Sequence, residues 1–141
     1  MRILLVDDNL GDLLLTKEAL KGAGTKSTVT TVNDGVEAMQ FLRRQGKFAD
    51  AQRPDLIFLD LNMPRMTGGE VLAALKEDDA LKDIPVVVLT SSDADDDVSM
   101  AYRRHANCFV TKPADLDQMI HVVQAIDSFW MSVAKLPPHA N

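Results

Sequence analysis

A chain of 141 residues that is 46% hydrophobic and 26% charged is sized for one folded domain and too apolar to stay disordered. Its net charge of −6 excludes a sequence-independent grip on nucleic acid, which needs a basic face, but leaves protein partners open.

In chain order, residues 2–6 (RILLV) read as a buried strand, and residues 10–23 as a helix carrying Leu13, Leu14, Ala19 and Leu20 in an amphipathic pattern, with Gly24 as its stop. Residues 27–32 (STVTTV) alternate, which predicts a strand at a sheet edge. A helix follows over 35–44, with Val36, Met39 and Leu42 at helical spacing, and then a loop over 44–54 that is long for its type. Residues 55–59 (DLIFL), 84–90 (IPVVVLT) and 107–111 (NCFVT) are nearly continuous apolar or β-branched runs, expected, like the first, for strands covered on both faces. Helices are predicted over 69–76, over the more polar 95–104, and over 115–133, where Leu116, Met119, Ile120, Val123 and Ile126 form a stripe. His105 and His121 read as ordinary helix residues. One domain over 1–134 is expected, followed by a tail over 135–141 that cannot stay helical through Pro137 and Pro138.

Strands alternating with helices imply right-handed crossovers and an α/β fold, a five-stranded parallel sheet with helices on both faces. Cys108 is the sole cysteine, so no internal disulfide forms and a reducing, cytoplasmic setting is expected. The apolar run of the opening MRILLVDD is too short for an export signal. No stretch approaches the roughly 20 apolar residues of a membrane helix.

The strand ends carry the chemistry. The first ends at Asp7 and Asp8, the third at Asp60, the fourth at Thr90 and Ser91, and the fifth at Lys112. A parallel sheet brings all these ends to one edge, where ligands bind. Ionised carboxylates crowded together need a cation, and hard oxygen donors suit Mg²⁺ with a phosphate co-ligand. The Asp60 carboxylate can then act as a nucleophile that forms an acyl phosphate, with Lys112 neutralising one phosphoryl oxygen and the Thr90 hydroxyl bonding another. The alternative for Asp60 alone is a cap on the next turn or helix.

The motifs LLVDDN (4–9), FLDLNMPRMTG (58–68), VVLTSS (87–92) and FVTKP (109–113) resemble, as a set, the receiver domain of two-component response regulators, over about residues 2–127. The resemblance implies a flavodoxin-like (βα)5 receiver fold with strand order 2-1-3-4-5. It implies phosphorylation of Asp60, direct metal ligation by Asp8, Asp60 and the Asn62 carbonyl, and a contribution from Asp7 through water. Lys112 would pair with the phosphoryl group, and Pro113 would follow a cis peptide bond. Thr90 and Phe109 fall at the switch positions that alter the surface of the fourth helix, fifth strand and fifth helix; Ser92 bears on phosphoryl lifetime. The start VDDNLGD, the stretch ANCFVTKP and the ending after Ile126 look like the small stand-alone response regulators that partner phytochromes, implying a red-light-regulated sensor histidine kinase as donor and a homodimer. Phe129 and Trp130 are adjacent and cannot enter one groove; one could seal the core while the other serves an interface, or both could cover the domain's base. Two other readings stand beside this phospho-switch. One is an aspartyl-phosphate phosphatase or phosphotransferase, disfavoured by Asn62 where such enzymes carry a general acid. The other is a receiver fold used only for phosphorylation-independent docking.

Overall fold

A computed structural model describes residues 1–22 and 27–138. The elements are β1 (Arg2–Val6), α1 (Leu10–Gly22), β2 (Thr28–Val32), α2 (Gly35–Leu42), β3 (Leu56–Leu59), α3 (Gly68–Glu77), β4 (Val86–Thr90), α4 (Asp95–Arg103), β5 (Cys108–Thr111) and α5 (Leu116–Ser128). A short 3-10 turn, Gly46–Phe48, interrupts the long loop before β3, and a π turn, Phe129–Val133, extends α5. The expected stop at Gly24 lies outside the described residues, as do residues 139–141 of the tail.

The strands pair in parallel in the order β2-β1-β3-β4-β5. Period-two alternation splits the strand side chains between two cores. Leu4, Val6, Ile57, Leu59, Val86 and Val88 face α2, α3 and α4, where Met39, Val71, Leu72 and Ala101 meet them. Ile3, Leu5, Leu56, Phe58, Val87 and Leu89 face α1 and α5, where Leu13, Leu20, Met119 and Val123 meet them. Burying any one of these Val, Leu, Ile, Met or Phe side chains stabilises the fold by about 1.5–3 kcal/mol. β2 is an edge strand, as its alternation predicted.

Four expectations change. Leu14 of α1 and Leu116 of α5, expected in the apolar patterns of their helices, face solvent instead, at 56% and 66% exposure. β5 is the other edge and only half-buried, not covered on both faces, because nothing pairs beyond it. Instead the Tyr102 hydroxyl of α4 accepts the Phe109 N–H at 3.2 Å. α2 stops at Leu42, short of the predicted Arg44, because Arg44 turns left-handed (φ 56°) and Gln45 N–H closes back on Gln40 O at 2.9 Å. His105 is likewise not helical: it sits at φ 68° just past α4, while Ala106 N–H reaches Ala101 O at 3.0 Å. His121 lies within α5 as expected.

Candidate functional site

Register places the acids. Val6 pairs with Leu59, so the residues that follow them, Asp7 and Asp60, leave adjacent strands side by side. Their backbones stay in the ladder: Asp60 N–H donates to Val6 O at 2.9 Å and Asp7 N–H to Val32 O at 3.2 Å. On the other side, Lys112 N–H donates to Thr90 O at 2.7 Å, which aims the lysine across the ends of β4 and β3. Gly68 lets the β3–α3 loop close under Asp60. A Cβ there would sit 2.0 Å from the Asp60 carbonyl oxygen, a backbone atom that cannot yield. Thr67 and Glu70 then start α3 with a reciprocal capping box.

The Lys112 ammonium is buried and has three donors, and carboxylates take all of them: Asp7 at 2.5 Å, Asp12 at 2.8 Å and Asp60 at 3.2 Å. Burial alone would favour the neutral amine, yet the bonds to Asp12 and Asp7 and the charge of Asp60 outweigh it and raise the lysine above its ordinary range. Asp7 shows the opposite balance. Burial pushes its carboxyl up to about 6, the Asp60 charge adds to this, and the bonds from Lys112 and Asn9 only partly offset it.

Asp7, Asp8 and Asp60 each offer a carboxylate oxygen within 4.8 Å of the others. Asp7 and Asp60 are buried while Asp8 is exposed at the rim, so the three form a cup of hard oxygen donors open on one side. Three like charges at this separation, with one lysine among them, fit a divalent cation and leave it positions for water or phosphate. Asn62 donates its N–H to Asp60 Oδ1 at 3.3 Å and so lies at the same rim. Thr90 Oγ1 is fully buried and has no hydrogen-bond partner among the described residues, an unusual state for a hydroxyl and one that suits an incoming acceptor. Ser92 is committed elsewhere, donating to Asp97 Oδ2 at 2.5 Å.

The structure thus gathers Asp7, Asp8, Asp60, Asn62, Thr90 and Lys112 along one sheet edge. Phe109 is not in this group; its ring packs half-buried against the α2–α4 core. The bond before Pro113 is trans, correcting the expected cis form, since none of the described peptides is cis. Trans is the ordinary preference of an X–Pro bond, by about 0.5–1 kcal/mol, and Lys112 reaches its carboxylates with the bond in that state. Trp130 packs against the α1–α5 core while Phe129 is 47% exposed, the rings meeting edge to face at 5.4 Å. No helix among the described residues is long and apolar enough to cross a membrane.

Asp12 is the site residue that sequence reasoning missed. Its signal was there: Asn9 caps α1 by accepting Asp12 N–H at 3.0 Å, and an acid three residues after a cap lies on the first turn, facing the strand end.

Comparison with known proteins agrees with this geometry. Residues 3–124 match the response regulator receiver domain family. The response regulator Rcp1 of Synechocystis sp. is 45% identical over 135 residues, covering 96% of this chain and 92% of Rcp1. The phosphorylated cyanobacterial phytochrome response regulator RcpA superposes with a TM-score of 0.94 at 50% identity, covering 97% of this chain and 98% of RcpA. The Mn²⁺-bound form of Rcp1 gives 0.93 at 44% identity, over 97% of this chain and 99% of its own. The chain therefore belongs to the response regulator receiver domain family and is a phosphorylation-accepting receiver homologous to the phytochrome response regulators Rcp1 and RcpA.

Proposed function

We propose that Asp60 is the phosphoacceptor of this receiver, with Mg²⁺ as the resident cation and a phytochrome-type sensor histidine kinase as the donor. One observation carries the reading: Lys112 lies 3.2 Å from Asp60 and 2.5 Å from Asp7 at the ends of three strands, beside an orphaned buried hydroxyl. An Asp60 carboxylate oxygen attacks phosphorus, the P–N bond to the donor imidazole breaks, and the imidazole keeps the electron pair and takes up a proton. When bound, the cation supplies charge neutralisation for the acids and the phosphoryl oxygens. Asp8, Asp60 and the Asn62 carbonyl would hold it, with Asp7 acting through water. Lys112 bonds one phosphoryl oxygen, and the Thr90 hydroxyl finds in another the acceptor it lacks. Phe109 then follows Thr90, altering the α4–β5–α5 surface.

The donor's approach is supported by exposed leucines around the site: Leu10 and Leu14 on α1 and Leu116 at the start of α5 are each more than half exposed. Leu10 and Leu14, one turn apart, suit a helical partner presenting its phosphohistidine to Asp60. Phe129, Met131 and Val133, exposed past the end of α5, suit a contact with a second copy. The test is intact mass after incubation with acetyl phosphate and Mg²⁺. Wild type gains one phosphoryl group and Asp60→Asn gains none; an unmodified wild type overturns the proposal. A phytochrome kinase should label the same residue, and Leu14→Glu should slow that transfer without slowing acetyl phosphate.

A further inference from the structure

Lys112 has no free donor. Until the P–O bond to Asp60 forms, Asp60 keeps its charge and its hold on Lys112 at 3.2 Å, so an incoming phosphoryl oxygen can reach the lysine only if Asp7 or Asp12 lets go, and these two are not equivalent. Asp7 and Asp60 are buried beside one another on adjacent strands, their side chains 11% and 7% exposed. The Asp12 side chain is 34% exposed, stands on α1 outside the sheet, and borders the open cleft lined by Leu15, Ser91, Pro113 and Leu116. It can swing into that cleft and be solvated, whereas Asp7 leaving Lys112 would remain a buried, less compensated charge.

Resting on the reading of Asp60 as phosphoacceptor, we propose that Asp12 is a displaceable positioning residue: it occupies the third donor of Lys112 in the unphosphorylated protein and yields that donor to the phosphoryl group. Its position is built in. Asp7 Oδ1 accepts Asn9 N–H at 2.9 Å, Asn9 Oδ1 accepts Asp12 N–H at 3.0 Å, and Asp12 Oδ2 accepts from Lys112 at 2.8 Å, a ring that returns to Asp7 through the lysine. The first turn of α1 is thereby tied to β5, and the tie opens when the phosphoryl group arrives. Asp12 also adds a negative charge on the path of an anionic donor. Both effects stabilise the free protein relative to the transition state for phosphorylation. Neither acts on hydrolysis, in which neutral water attacks a phosphoprotein whose Asp12 is already displaced at the start and at the transition state.

The test compares wild type with Asp12→Asn, Asp12→Ser and Asp12→Glu, using acetyl phosphate and Mg²⁺, with rates of gain and decay of phosphoprotein followed by intact mass. Asp12→Asn and Asp12→Ser should be phosphorylated roughly two- to five-fold faster, the range expected for losing a partly exposed ion pair. Their hydrolysis rates should match wild type, and Asp12→Glu, which keeps the charge, should stay near the wild-type rate. Raising ionic strength should narrow the gap between wild type and Asp12→Asn, because the competing charge is solvent-facing. Phosphorylation of both uncharged variants at or below the wild-type rate overturns the proposal, since a merely structural Asp12 would leave Lys112 misplaced and slow the reaction. If wild type itself takes no phosphoryl group, the assignment of Asp60 fails, and that outcome is separate from any difference among the Asp12 variants.

Discussion

At the scale of single residues, the site is a set of side chains whose places follow from where strands end, and most were legible. Asp7, Asp60, Thr90 and Lys112 each directly follow or end a run of strand residues, so the parallel sheet alone brings them together. Asp12 was harder to read: its only signal was its place three residues after the Asn9 cap, because its contact depends on the pitch of the first turn of α1 and not on a strand end. The state of the Lys112–Pro113 bond was also beyond the sequence, since the local trans preference and the tertiary environment decide it together. Gly68 offers the sharpest test at this scale. A methyl group there meets the Asp60 carbonyl oxygen at 2.0 Å, so the start of α3 or the Asp60 peptide must move. Gly68→Ala should destabilise the fold by about 1–3 kcal/mol, the usual cost of overpacking. It should also lower the rate of acetyl phosphate labelling at a temperature where circular dichroism shows the variant folded. Unchanged labelling would mean that the loop can shift without carrying Asp60 with it.

Among the elements, type and order were readable because apolar runs and helical stripes differ in period, but ends were not. α2 and α4 both stop at a left-handed residue that is not glycine, Arg44 and His105, and nothing in either side chain announces that turn. The bonds that close the two ends, Gln45 N–H to Gln40 O and Ala106 N–H to Ala101 O, must outweigh the crowding of a Cβ in this conformation, which costs roughly 1–2 kcal/mol. Glycine meets no such penalty, though it loses more freedom on folding. His105→Gly should therefore stabilise the protein by about 0.5–1 kcal/mol, visible as a shift in urea midpoint at constant slope. The same substitution at His121, inside α5, should destabilise by about 0.5–1 kcal/mol. Matching signs at the two positions would contradict the capping argument. The half-burial of β5 belongs here too: its residues read as a core strand, but its rank at the sheet edge is a property of the topology.

For the whole molecule, the alternation of elements disclosed the sheet, while the contacts that close it across the chain stayed hidden, such as Ser27 Oγ to the buried Asp127 carboxylate at 3.2 Å. The cluster of acids at the sheet edge also acts on the molecule as a whole, through pH. Burial raises the Asp7 carboxyl from its ordinary 3.8 to about 6. The folded chain thus binds this proton more tightly than the unfolded chain does, so stability falls as pH rises from about 4 to 6 and is level above that. Two other groups leave this window flat. Lys112 is raised, so its contribution is complete below the ordinary lysine value of 10.5 and is lost only at higher pH. Asp34 is opposed by burial but lowered by bonds from Glu37 N–H and Arg65, so its contribution is complete above 3.8 and is lost only below it. Metal-free wild type should accordingly melt several degrees lower at pH 7 than at pH 4.5, and Asp7→Asn should lack most of that difference. Millimolar Mg²⁺ should raise the melting temperature of wild type at pH 7, where Asp7 is ionised, and raise it much less at pH 5, where protonation removes the Asp7 charge that attracts the cation and accepts from its water. Equal melting profiles for wild type and Asp7→Asn across this range would show that the acids share their charge with solvent and not with one another.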